Sequence, residues 1–324
     1  MAHRLQQLLL ILATGFILYY FSEFVFWSGG TPDSWTPRAI AAGWLVYSIG
    51  AAAFLIVVRF FGARAPCGLF LAGAIFGWLV EGIYVQTMVE SLPLSISFTG
   101  LAWHALLTIC AGWYGLRRAL QDERRWLGPA AAAVAGLLWG LWAIYWWQEA
   151  DQIHRTVAAF GAVNLLGTAL LVVANLLFER AGPADFRPGR WTAAAVFGFF
   201  AVWFFIVAIP AAPVSAVVLP LALAVALWAL WRGRSRGSGR PDALDAVAPP
   251  IGGRLLWLLL MPVSATAVYA VADALGLTWF TNYVLYAITT PLGFILLGIS
   301  LWQVGWKQLT GEAEAPAASY SDKS

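Results

Sequence analysis

Glu81 is the residue in this sequence best suited to chemistry. It sits in the apolar run Phe76-Gly77-Trp78-Leu79-Val80-Glu81-Gly82-Ile83-Tyr84-Val85-Gln86-Thr87. An ionisable side chain inside hydrocarbon is costly, so its presence there points to a function. A carboxyl held away from bulk water can carry a proton or act as a general acid or base. The structural alternative is a Glu bonded to a hydroxyl or backbone carbonyl of a neighbouring helix. Gly77 and Gly82 flank it and permit close approach of a helix or a ligand.

His104 follows in Thr99-Gly100-Leu101-Ala102-Trp103-His104. If the two runs form a helical hairpin, Glu81 and His104 reach similar depth. A Glu–His pair can shuttle protons or orient a polar substrate. The alternative is an interfacial His beside a Trp of the aromatic belt. Glu23, Glu90, Trp103, Tyr84 and Gln86 complete the expected proton- or substrate-binding set.

A second group is weaker. Asp151 and His154 have i, i+3 spacing and, with Glu149, offer three oxygen or nitrogen ligands. Such a loop is better read as solvated and acidic, and neither metal nor cofactor is expected. Asp273 near the end of a span and Asn282 in the last one are further candidates. Asn164 and Asn175 read as hydrogen-bonding glue between helices. Trp139, Trp142, Trp146 and Trp147 crowd one half of a span and read mainly as interfacial belt. A subset facing inward beside carboxylates would suit a cation or a sugar ring.

The elements that must position these residues follow from composition. Of 324 residues, 61% are hydrophobic and only 11% charged, with mean hydropathy +0.76. Soluble domains carry about 25% charge. The apolar residues come in blocks of about 20, the length that crosses a hydrocarbon core as helix. Backbone groups in lipid must be satisfied within the segment, and no period-2 alternation suggests a barrel. The fold class is therefore all-α, a polytopic helical bundle.

Ten spans are expected, at 5–27, 39–61, 67–89, 100–119, 127–147, 155–178, 191–210, 213–231, 254–276 and 280–305. The turn at Ala211–Ala212 between Pro210 and Pro213 is tight enough for a kinked re-entrant pair instead. With the N-terminus inside, all but Arg38 and Arg155 of the 19 Lys and Arg residues fall on the cytoplasmic side. That bias predicts both ends inside and, through the compact loops, a bacterial inner membrane.

Residues 1–310 are expected to form one transmembrane domain. Within it, 232–253 reads as a flexible cytoplasmic linker rich in Arg, Gly, Ser and Pro, and 311–324 as a disordered tail. The connector Ser91 to Phe98 is apolar for a loop and could dip back over a pocket. Ala74-Ile75-Phe76-Gly77-Trp78 is similar to Ala195-Val196-Phe197-Gly198-Phe199, a weak hint of internal repetition. Pro220, Pro262 and Pro291 predict kinks.

Several classes close. No phosphate-binding glycine loop, HExxH or GxSxG is present. No lysine lies in a span, which excludes a Schiff base there, and no Arg ladder suggests a voltage sensor. Cys67 and Cys110 lack ligand spacing. The net charge of +3 comes from helix ends and does not imply nucleic acid. Helix count, size and orientation resemble the broad class of ten-helix drug/metabolite exporters, with a glycine-spaced last helix from Pro291 to Leu301. That likeness is one of architecture.

The leading expectation is a secondary transporter or small-molecule permease, with an acidic, aromatic-lined pocket open to the outside. The alternative is a membrane-embedded enzyme acting on a lipid or lipid-linked substrate at the outer leaflet. Partners are the bilayer and that substrate; the sequence sets no oligomeric state.

Overall fold

The computed structural model describes residues 2–28, 36–148, 154–234, 241–277 and 281–306. Among them are ten helices long and apolar enough to cross a membrane. They are α1 (His3–Phe24), α2 (Pro37–Phe61), α3 (Cys67–Tyr84), α4 (Ser95–Gln121), α5 (Leu127–Tyr145), α6 (Val157–Arg180), α7 (Arg190–Ala211), α8 (Ser215–Arg234), α9 (Gly252–Ala274) and α10 (Thr281–Trp306). The described residues contain no strand. The protein is all-helical and fits a multi-pass membrane protein.

Local chemistry sets the ends. Thr36 accepts a hydrogen bond from the Ala39 amide, Pro37 opens α2, and Gly62 closes it at φ 61°. Thr156 caps α6 in the same way through Ala159. Each such cap is worth about 1 kcal/mol. α3 stops earlier than the expected 89, because Gln86 turns the chain at φ 58°. Glu90 therefore lies past α3 in the connector, not on its last turn. α4 starts earlier than expected, so Ser95 to Phe98 is its first turn rather than a separate re-entrant piece. α7 and α8 are distinct spans, joined by a turn at Ala212–Val214.

α3 is the centre of the bundle: 89% of its membrane-length window is buried, against 11% for α7. α3 packs most closely on α4, α1 on α2, and α5 on α9. The two similar runs stand in different surroundings. A methyl on Gly77 would meet the Gly100 carbonyl oxygen at 2.3 Å, whereas one on Gly198 would meet nothing within 4 Å. The similar letters sit in a packed core and on a lipid-facing surface.

The expected linker is also corrected. Arg232 and Arg234 belong to α8 and Gly252 onward to α9, while Pro241 to Ile251 is docked against helix ends. Asp242, Ala243, Leu244, Val247 and Ile251 are buried. Polar sequence did not mean solvated chain here, because arginines from α2 and α4 reach back to it. Residues 235–240 and the expected tail 311–324 lie outside the described residues.

Candidate functional site

The structure brings Glu81 and His104 into direct contact. His104 Nε2 stands 2.6 Å from Glu81 Oε1, and the residues are 2% and 7% exposed. The other carboxylate oxygen accepts from the Thr87 hydroxyl. The other ring nitrogen, Nδ1, lies 2.9 Å from Ser22 Oγ, which in turn lies 3.1 Å from Thr108 Oγ1. Five side chains from α1, α3, α4 and the turn after α3 thus form one buried polar chain.

Its polarity follows from donor and acceptor chemistry. An ionised carboxylate can only accept, so with Glu81 ionised the proton on Nε2 points at it. With the ring neutral, Nδ1 accepts from Ser22, and the Ser22 oxygen accepts from Thr108. Every donor points the same way, toward Glu81, with Thr87 closing the far end. Such a chain polarises along its length and is suited to relaying a proton.

The backbone at these positions is widened. Ser22 lies in the π-helical turn Tyr20–Phe24, Glu81 in Val80–Tyr84, and His104 and Thr108 in the π-helical stretch Phe98–Leu116. The remaining π-helical segments, Phe204–Ala208 and Trp302–Trp306, carry no acid or base. π-Turns are rare and recur at functional sites, since they rotate a side chain off the regular helical face. Close packing holds the chain together. The ring of Phe76 meets that of His104 edge-on at 5.6 Å between centroids, and Tyr47 flanks His104 at 6.4 Å.

Glu23 forms an adjoining acidic group. Tyr47 donates to its Oε1 at 2.5 Å and the Trp27 indole to its Oε2 at 2.9 Å. Trp103 packs on Phe26 and Trp142 and donates to the Phe21 carbonyl. Trp142 and Trp146 both donate to the Phe26 carbonyl. Trp139 and Trp142 are 2% and 5% exposed, so these two are core rather than interfacial belt. Helix α5 turns them inward onto the end of α1, where aromatic stacking outweighs the belt preference.

Other expected residues stand apart. Tyr84 packs toward Phe199 and Phe200 of α7. Gln86 donates to the Ile83 carbonyl within its own turn, and Glu90 is exposed. His154 pairs with Asp273 at 2.9 Å beside Trp147, with both side chains substantially solvent-exposed. Glu149 and Asp151 lie outside the described residues. Asn282 is partly buried with its Oδ1 unpaired among the described residues.

The two asparagines of α6 differ. Asn175 does bridge helices, accepting from Arg117 of α4. Asn164 does not: it is fully buried and neither amide atom has a partner among the described residues.

Sequence reading missed Ser22, Thr87 and Thr108. Small hydroxyls are common in membrane helices, and nothing in their spacing separates these three from the rest. Cys67 and Cys110 are free thiols. No family model matches the chain, and no curated protein and no solved structure matches it.

Proposed function

We propose that the protein is a proton-coupled secondary transporter or permease in which Glu81 and His104 carry the proton. The observation that supports this reading is the polar chain Thr108–Ser22–His104–Glu81, buried among helices and met at the carboxylate from the other side by Thr87. It joins α1, α3 and α4 at their π-helical turns. Adding a proton to Glu81 removes the carboxylate that Nε2–H and Thr87 both address. The contact between α3 and α4 then weakens, and the helices gain a reason to shift. That is the coupling a proton-driven carrier requires. The aromatic group of Trp27, Trp103, Trp142 and Trp146 beside Glu23 is the proposed substrate-facing wall.

The test is flux in proteoliposomes of the full chain under an imposed proton gradient. The candidate solutes are small organic cations and neutral polar solutes. Gradient-driven uptake that Glu81→Gln abolishes supports the reading; uptake equal in both proteins removes the proton-carrying role. The proposed orientation puts both termini in the cytoplasm of a bacterial inner membrane, from the arginine bias. Thiol labelling of cysteines introduced at Thr36 and Asp122 from one side of intact cells tests it: only the Thr36→Cys thiol is expected to react from outside.

A second reading rests on a specific observation. Ser22 Oγ, the His104 ring and the Glu81 carboxylate stand in the order hydroxyl, base and orienting acid. That order is the logic of an activated serine nucleophile. It suits an enzyme cleaving an ester of a lipid or lipid-linked substrate. A fluorophosphonate probe that modifies Ser22 in wild type but not in His104→Ala favours this reading. No labelling of Ser22 disposes of it.

A further inference from the structure

The residue after Ser22 is an acid. Glu23 shares the π-helical turn Tyr20–Phe24 with Ser22, at the end of α1. Neighbours along a helix do not share a face, so Ser22 meets His104 of α4 while Glu23 meets Tyr47 of α2. Glu23 is only partly buried. Both its partners are neutral donors, the Tyr47 hydroxyl at 2.5 Å and the Trp27 indole at 2.9 Å. Such donors orient a carboxylate without cancelling its charge, which leaves it able to take up a proton from the membrane surface.

Tyr47 stands between this acid and the buried chain. It is 4% exposed. The hydroxyl that donates to Glu23 also has Ser22 as a side-chain hydrogen-bonding neighbour. Its ring lies 5.6 Å from Tyr19, 6.1 Å from Phe76 and 6.4 Å from the His104 imidazole, between centroids. The titratable groups around Tyr47 are therefore Tyr19 and Glu23 of α1, Glu81 of α3 and His104 of α4. Packing accounts for the ring and not for the oxygen, since phenylalanine would fill the same space. The oxygen has polar work, and its neighbours are the exposed acid on one side and the head of the chain on the other.

We propose that Glu23 collects the proton at the membrane surface and that Tyr47 relays it through Ser22 and His104 to Glu81. The assignment rests on the proton-carrying reading of Glu81 and His104, and gives that chain its entrance. In the proposed orientation the entrance is on the outer side. The step balances along the chain. Protonated Glu23 donates to the Tyr47 oxygen, and the Tyr47 hydrogen turns to Ser22. Glu23 O–H then passes to Tyr47, Tyr47 O–H to Ser22, Ser22 O–H to Nδ1, and Nε2–H to the Glu81 carboxylate. As many O–H and N–H bonds form as break, and the ring stays neutral while its proton changes nitrogen. Afterwards Tyr47 donates to an ionised Glu23, which is the bond the structure shows.

The experiment is time-resolved infrared spectroscopy of the full chain in proteoliposomes, with protons released by light from a caged acid. The signal is the protonated-carboxyl band of Glu81, identified by its loss in Glu81→Gln. In Tyr47→Phe, which keeps the packed ring, the band is expected to rise at least about tenfold more slowly and to reach the same height. Glu23→Gln is expected to slow it similarly, and serves alone should Tyr47→Phe fail to fold. An unchanged rate in Tyr47→Phe would overturn the relay. An unchanged rate in Glu23→Gln would overturn Glu23 as the collecting group. A wild-type protein without the band would remove the proton-carrying reading itself, and the entrance with it. Slowed protonation in a protein showing no gradient-driven flux would leave the relay standing while the permease reading fell.

Discussion

Ser22 Oγ meets His104 on the ring nitrogen opposite the one that meets Glu81, 2.9 Å on one side and 2.6 Å on the other. The imidazole is therefore a two-ended connector between α1 and α3, mounted on α4. Glu81 sets its tautomer, and Ser22 gives Nδ1 its partner. Ser22→Ala is expected to leave the Glu81 contact intact while removing the partner of Nδ1. Nitrogen NMR of labelled histidine should give the Nε2–H tautomer of His104 in both proteins, with only the Nδ1 signal moved in the variant. A mixture of tautomers in the variant would mean that Glu81 alone does not place the proton. The stability cost should be about 1 kcal/mol.

Glu81→Gln and Glu81→Ala should separate function from folding. The amide keeps the shape and one hydrogen bond, so the protein should fold while gradient-driven flux is lost. Alanine leaves His104 and Thr87 without their shared partner in a closed core. That truncation should cost about 1–3 kcal/mol for each donor left unpaired. Denaturation in mild detergent reads the difference. Equal stability of the two variants would contradict the buried-pair account.

Gly77→Ala tests the closeness of α3 and α4 at the site. The new methyl would stand 2.3 Å from the Gly100 carbonyl oxygen and 2.9 Å from His104 Cβ. Backbone cannot swing aside as a side-chain tip can, so the helices must separate, at a cost of about 1–3 kcal/mol. Gly198→Ala is the control, with nothing within 4 Å of the added carbon. A lower melting temperature for Gly77→Ala and no drop for Gly198→Ala is the expected result.

The docked segment should respond to pH through Asp242. Burial pushes this carboxyl above its ordinary value, and the pull of Arg59 and the bonds from its own turn do not fully reverse that. The docked state then binds the proton more tightly than the released state. Its contribution favours docking below the ordinary Asp value, declines as pH rises through the raised one, and is level above it. Hydrogen-exchange protection of 241–251 should therefore fall between acid and neutral pH in wild type, relative to Asp242→Asn. Parallel profiles for the two proteins would remove Asp242 as the cause.

The sequence by itself determined the helices. Blocks of apolar residues about a membrane thick have few other structures open to them, because unpaired backbone groups are intolerable in lipid. The described helices match the expected spans closely. The same cost argument singled out Glu81, since a lone acid in an apolar run is visible as letters. His104 was legible beside it because a short connector between two spans forces a hairpin.

Tertiary structure decided the rest. Ser22 became the partner of both His104 and Thr108 only when α1 packed on α4 and widened turns rotated these side chains inward. Asn164 and Asn175, alike in sequence, were separated by what stands opposite: a guanidinium for one and no described partner for the other. Pro241 to Ile251 reads as a polar linker until Arg59 and Arg117 arrive from distant helices to bury it. Composition acts along the chain and fixes which segments must leave water. Hydrogen bonds between helices act across it, and their partners exist only once the bundle has closed.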